Sequence, residues 1–453
     1  MNGAATESGW WRAAPGDTAQ EHVAVSGIGG ASLRFPFWSL IAFTVILILA
    51  PQDHFTALKP LHLALVTGAF ASGAYLLSRF SGSAPRPRHT LAATVALLLL
   101  LWAVVMVPFA LWPGGSYAQI FNIYIKALIV FWLLGRVVNS EQRLRTVAWT
   151  LSLIAIPLSL SAISSFLKGG VGNAEMTHGL ERIAGYQSAL TGNPNDLALM
   201  LNLILPFALG LMMSSRKLSV RIVLAIIAFL DVMAVIATYS RGGFITLVAI
   251  VVTYLLCLSK RARRGMLLAM MAFGLLAVPL VPAGYWSRLS TITNIEKDQT
   301  GSAQQRWTEM VYATQIIASH PIIGAGAGMD YLALNKLNGG DWIRVHNVYL
   351  EYGVDLGLPG LLLFLLLYYR VLKIARTARR IARESPGNEV LHRLSEAIWI
   401  ALIVFGVSAF FQPAAYDFYF FYIAGLAVAA YAIAASLSDK AHLSVPGKRA
   451  RTT

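Results

Sequence analysis

The sequence predicts an all-α polytopic membrane protein, about twelve transmembrane helices in one bundle with a long outer loop that contains short helices of its own. Three observations predict it. Of 453 residues, 57% are hydrophobic and 13% charged, with a mean hydropathy of +0.63, whereas soluble domains carry about a quarter charged residues. Apolar runs near 20 residues recur along the chain, the length a helix needs to cross a hydrocarbon layer of about 30 Å. Lysine and arginine concentrate in alternate loops, as orientation in a membrane requires.

Residues 1–34 hold two tryptophans, several acids and no apolar core, so they read as a disordered cytosolic tail and not as a cleavable signal. Twelve apolar segments follow, at 35–51, 60–79, 91–111, 118–135, 147–166, 196–213, 220–238, 243–258, 265–282, 347–369, 396–412 and 417–437. With the N-terminus inside, the inner loops and tails take 26 of the 36 lysines and arginines, the outer loops take 9, and Lys126 lies within a segment. Both termini are therefore expected in the cytoplasm. The chain divides into nine helices over 35–282, with an outer loop at 167–195, then a long outer loop at 283–346, three helices over 347–437, and a cytosolic tail at 438–453.

The formal charge of +15 would suggest a nucleic-acid partner in a soluble protein. Here the cations sit in short loops beside apolar runs, so the partner is the bilayer and no nucleic acid is expected. A single cysteine, Cys257, excludes an intrachain disulfide and a thiolate metal set.

Loops as long as the two outer ones are usually functional. In the second, Ser302 with Gln305 forms a capping-box pattern, and Trp307, Met310, Val311, Thr314 and Ile317 recur at helical spacing, which predicts an amphipathic helix lying over the bundle and stopped by Pro321. The glycine-rich IIGAGAGMD after it lacks a preceding strand, so it predicts a tight turn, or backbone amides facing an anion, and not a nucleotide site.

Four polar clusters stand at outer membrane boundaries. The first has Arg182, then Asn193, Asn195 and Asp196 opening a helix, where Asn195 and Asp196 can serve as caps. The second is Arg241, followed by two glycines that would let a ligand approach the backbone. A guanidinium suits phosphate because it offers paired donors in a planar fork. The third is Arg306. The fourth is HNVYLEYGVDLGLPG, with His346 and Asn347 at the mouth of a helix, Tyr349, Glu351 and Asp355 in its first turns, and Gly353, Gly357 and Gly360 spaced for close packing. An imidazole facing a cavity lined by arginines is a candidate general base. No HExxH-type spacing accompanies it, so neither a metal nor another cofactor is expected. Lys126 and Asp231 are ionisable at membrane depth, and an ion pair between them is open.

These residues resemble the O-antigen ligase and polymerase superfamily over roughly residues 180–412. Three signatures carry the resemblance: R-x-x-G followed by NPN between Arg182 and Asn195, SRGG from Ser240 to Gly243, and R-W…HPIIGAGAG…HN-x9-GLPG from Arg306 to Gly360. The last is the most specific. The resemblance implies a glycosyltransferase of the bacterial inner membrane, acting at the periplasmic face without a metal and with inversion at the sugar carbon. Its donor would be a glycan on undecaprenyl diphosphate and its acceptor a hydroxyl of lipid A-core or a similar glycan. Arg182, Arg241 and more weakly Arg306 would bind the diphosphate, His346 would activate the acceptor, and Asn195, Asn347 and Tyr349 would support them.

Ligase and polymerase share this apparatus, and a protein-glycosylating variant is a third possibility. A flippase or transporter is the rival from another class. It should show ionisable residues along a central path and repeats between halves, and the sequence shows no convincing repeat.

Overall fold

The computed structural model describes residues 33–82, 89–168, 175–177, 180–183, 186, 188, 190–257, 260–277, 290, 301–339, 342–385 and 387–444. The expected N-terminal tail up to residue 32, the end of the C-terminal tail beyond 444, and most of the long loop before residue 301 lie outside the described residues.

The described residues are predominantly helical. In order it forms α1 (Arg34–Leu49), α2 (Leu63–Phe80), α3 (Leu91–Met106), α4 (Pro113–Val137, with a π turn inside), α5 (Glu141–Leu167), α6 (Pro194–Ser214), α7 (Leu218–Ala237), α8 (Arg241–Cys257) and α9 (Lys260–Ala277). There follow α10 (Ser302–Ser319), α11 (Asp330–Asn338), α12 (Val348–Glu384), α13 (Glu389–Ser408) and α14 (Phe418–Ser444). The outer loop before α6 holds a ribbon of two short antiparallel strands, β1 (Glu175–Thr177) and β2 (Leu180–Arg182).

Among the described residues nine helices are long and apolar enough to cross a membrane. Two more, α1 and α8, are apolar but shorter, 16 and 17 residues, or about 24–26 Å of helix. The protein is thus a polytopic all-α membrane protein. The expected ninth segment, 265–282, falls on α9, whose first residues are Lys260, Arg261, Arg263 and Arg264, and its end at 278–282 lies outside the described residues.

Helices α6, α13 and α14 form the centre of the bundle and bury the largest share of their residues. α6 packs on α13, α7 and α5, and α14 packs on α4 and α12. A buried polar contact ties α6 to α8, where the Asn202 amide donates to the Gly243 carbonyl at 2.9 Å. Asp231 in α7 accepts from Ser159 at 2.8 Å. It does not pair with Lys126, which is exposed on α4.

The feature that shapes the functional end is a break in α12. Gly357 has φ +68° and ψ −176°, and Pro359 follows it, so the helical ladder fails there. The freed groups find other partners: the Val354 and Asp355 carbonyls accept from the amides of Ala325 and Gly326 at 2.7 and 2.8 Å, and the Leu356 carbonyl accepts from Trp102 Nε1 at 2.8 Å. The Leu358 amide donates to the Pro321 carbonyl at 2.8 Å. Re-satisfying the backbone in this way is what allows a broken helix at membrane depth. IIGAGAG and GLPG are therefore two halves of one joint.

Several local expectations are corrected. Gly353 and Gly357 do pack closely, but against different elements: Gly353 faces Ile317 of α10, whereas Gly357 lies against the Ile322 backbone. Ser302 is the first residue of α10 and not its cap, because Gly301 precedes it in the left-handed region. The apolar stripe of α10 does not form its buried face as a whole. Its buried residues are Glu309 and Ala313, while Trp307, Met310 and Val311 are exposed. Trp307 and Met310 line the cavity described below, and Ile317 packs on Gly353, so the stripe serves more than one surface.

Candidate active site

A cavity of about 200 Å³ opens between the start of α8, the face of α10, the segment before α12 and the turn after α13. Arg241, Arg306, Trp307, Glu309, His346 and Phe410 are among its lining residues. Three of the expected site residues, Arg241, Arg306 and His346, thus meet although they are up to 105 positions apart in sequence.

The placements of Arg241 and His346 have identifiable causes. Arg241 opens α8, and its Nη2 donates to Ser302 Oγ at 2.6 Å, which draws the start of α10 over the site. Of the two glycines after it, Gly242 lines the cavity as expected and Gly243 does not. Gly243 abuts Ala198 of α6, and a side-chain carbon there would come within 2.7 Å of it, so this glycine serves helix packing; Gly242 lies against Phe411 at the cavity wall.

His346 lies in the irregular segment before α12 and keeps 31% of its side chain exposed. Its Nδ1 lies 2.8 Å from Glu309 Oε2 and 3.2 Å from the Arg344 carbonyl. Glu309 is 1% exposed, and its other oxygen accepts from Gln305 Nε2 at 2.9 Å. A buried carboxylate needs such partners.

Behind His346 lies a second set of acids. Asp330, Glu351 and Asp355 are buried, and one oxygen of each falls within 4.8 Å of the others. They act as a clamp. Asp330 accepts from the Val345 amide at 2.8 Å, Asp355 from the Gly328 amide at 2.6 Å, and Glu351 from the Ala415 amide at 3.1 Å. The acceptor that the glycine-rich loop meets is therefore the chain's own Asp355. Arg344 supplies the positive charge, 3.4 Å from Glu351 and 3.9 Å from Asp330. Burial pushes the Asp330 carboxyl above its ordinary range, against the pull of Arg344 and the Val345 amide. By type and spacing these three carboxylates are also the residues that could take a hard divalent cation, a set that sequence spacing did not reveal.

The supporting residues divide. Asn347 caps α12, its Oδ1 accepting from the amides of Tyr349 and Leu350 at 3.0 and 3.2 Å. Tyr349 donates to the Gly406 carbonyl at 2.8 Å and packs on Phe410, which anchors α12 to α13. The cap of α6 is Asn193, not Asn195 or Asp196, because Pro194 occupies the first helical position. Asn195 instead meets the turn after α13, where its carbonyl accepts from Gln412 at 3.0 Å. Arg182 ends β2 opposite Glu175, and its side chain lies outside the described residues.

Residues 224–365 match the family model described as O-antigen ligase. This stretch is similar to the O-antigen ligase family, which supports the resemblance to the O-antigen ligase and polymerase superfamily. The matched stretch contains Arg241, Arg306, Glu309, the acidic clamp and His346, whereas Phe410 on the cavity wall lies beyond it. Residues 23–188, which include Arg182, match a family of unknown function. No curated protein matches the chain.

Proposed function

We propose that the chain is a ligase-type membrane glycosyltransferase that moves a glycan from undecaprenyl diphosphate to an acceptor hydroxyl, lipid A-core or similar, with inversion. The observation that supports it is the convergence of Arg241, Arg306 and His346 on one cavity. In this reading the acceptor oxygen attacks the sugar carbon while His346 takes its proton. The bond to the diphosphate breaks as the new bond forms, and the arginines meet the charge that develops on the leaving group. Preorganised cations in a partly dry site act most strongly at that moment, each contact worth on the order of 10²–10³ in rate. Arg182 would join them from the loop before α6. The lipid tail would lie between helices with its head group at the boundary.

The reading has twelve spans in the bacterial inner membrane, both termini cytoplasmic and the cavity periplasmic. Reporter fusions after residues 215, 262 and 385 test it, and all three should report cytoplasm. A polymerase would use the same groups on two lipid-linked repeats. Deleting the gene and examining the surface glycan separates the two: lipid-linked polymer that accumulates unattached supports the ligase, a single unpolymerised repeat supports the polymerase, and an unchanged surface glycan contradicts both.

A further inference from the structure

We propose that Glu309 is the positioning residue of His346, holding the imidazole with its proton on Nδ1 so that Nε2 is left as the base; the inference rests on the transfer reaction proposed above. Two acceptors face the same ring nitrogen, the Glu309 carboxylate at 2.8 Å and the Arg344 carbonyl at 3.2 Å. Neither can donate, so the proton belongs on Nδ1 and the lone pair on Nε2. Glu309 is itself held by Gln305, 2.9 Å from its second oxygen, and by its place on the buried face of α10.

The contact also has a role during the reaction. The acceptor O–H proton passes to Nε2, the acceptor oxygen bonds to the sugar carbon, and the electron pair of the breaking carbon–oxygen bond leaves with the diphosphate. The imidazolium formed in that step lies against a carboxylate that is 1% exposed. Water screens such a pair little, so the carboxylate offsets the positive charge as it appears. A tether that merely docked α10 would not require an acid at this position, since a neutral amide reaches equally far.

The test is a double-mutant cycle on the full-length protein in proteoliposomes with a lipid-diphosphate-linked glycan as donor. Glu309→Gln should lower kcat on the order of 10²–10⁴-fold with the donor KM unchanged. Glu309→Asp should recover part of that loss. In a His346→Ala background, Glu309→Gln should remove nothing more from the residual transfer, because the two act as one unit. Additive losses, or a wild-type kcat in Glu309→Gln, overturn the proposal. A second measurement needs no turnover. Nitrogen-15 NMR of histidine-labelled protein, with His346→Ala to assign the signal, should find neutral His346 protonated on Nδ1; the Nε2–H form overturns the proposal. Wild-type protein that transfers nothing would refute the reaction, while the NMR result still decides the Glu309 contact.

Discussion

Arg241 Nη2 donates to Ser302 Oγ across 2.6 Å, so the first residue of α8 holds the first residue of α10. The same guanidinium lines the cavity that Arg306 and His346 share. Arg241→Lys keeps the charge but loses the planar fork, so donor affinity should fall roughly 10–100-fold, the worth of one or two charge-assisted hydrogen bonds. Binding of a lipid diphosphate to the purified variant checks this, and wild-type affinity would contradict it.

The joint between α12 and the glycine-rich loop predicts a sharp cost at one position. Gly357 has φ +68°, and a side-chain carbon there would come within 2.4 Å of the Ile322 carbonyl oxygen. Gly357→Ala should destabilise the protein by about 1–3 kcal/mol or more, through backbone strain and the clash together. Thermal unfolding in detergent should show the loss. Gly387, also at positive φ but with open space around it, should tolerate alanine better.

Glu351 joins three parts of the site, accepting from the Ala415 amide and facing Arg344. Glu351→Ala leaves a buried N–H without its acceptor, which costs about 1–3 kcal/mol. It also frees the Arg344–Val345 segment that carries His346. Stability and transfer should fall together, and a fully active, fully stable variant would rule out the clamp.

Asp417 gives a pH test. Burial pushes its carboxyl up to about 6, against a smaller pull from Arg344. A carboxyl with a raised folded pKa contributes stability at pH below its unfolded value near 4, and that contribution is lost as pH rises through 6. Asp417→Asn should therefore raise the melting temperature at pH 7 and flatten its change between pH 4 and 6. An unaltered pH profile would contradict this.

How much of this was legible in the sequence follows from what each residue costs in its place. Arg241 and His346 stood out because cations and imidazoles at a membrane boundary need a reason, and Arg306 stood out less, since a cation at the start of a loop helix reads first as solvated. Glu309 did not, because an acid inside RWTEMVYATQ reads as part of a solvated face. Its one local signal was Gln305 four residues earlier, on the same side of the helix. The clamp was half visible: Glu351 and Asp355 lie at the mouth of α12, but Asp330 comes from the far end of the glycine-rich loop, and only folding brings it in. The helices themselves were readable from hydropathy. The caps were not, since Pro194 and Gly301 moved each start by a residue or more from the expected cap.

The most direct measurement is glycan transfer by the purified protein in proteoliposomes, comparing wild type with His346→Ala and using donor binding as a check that the variant is folded. Loss of transfer by on the order of 10²-fold or more, with donor binding intact, is the predicted result. Full transfer by a folded His346→Ala protein would remove the general base from the site and the proposed reaction with it.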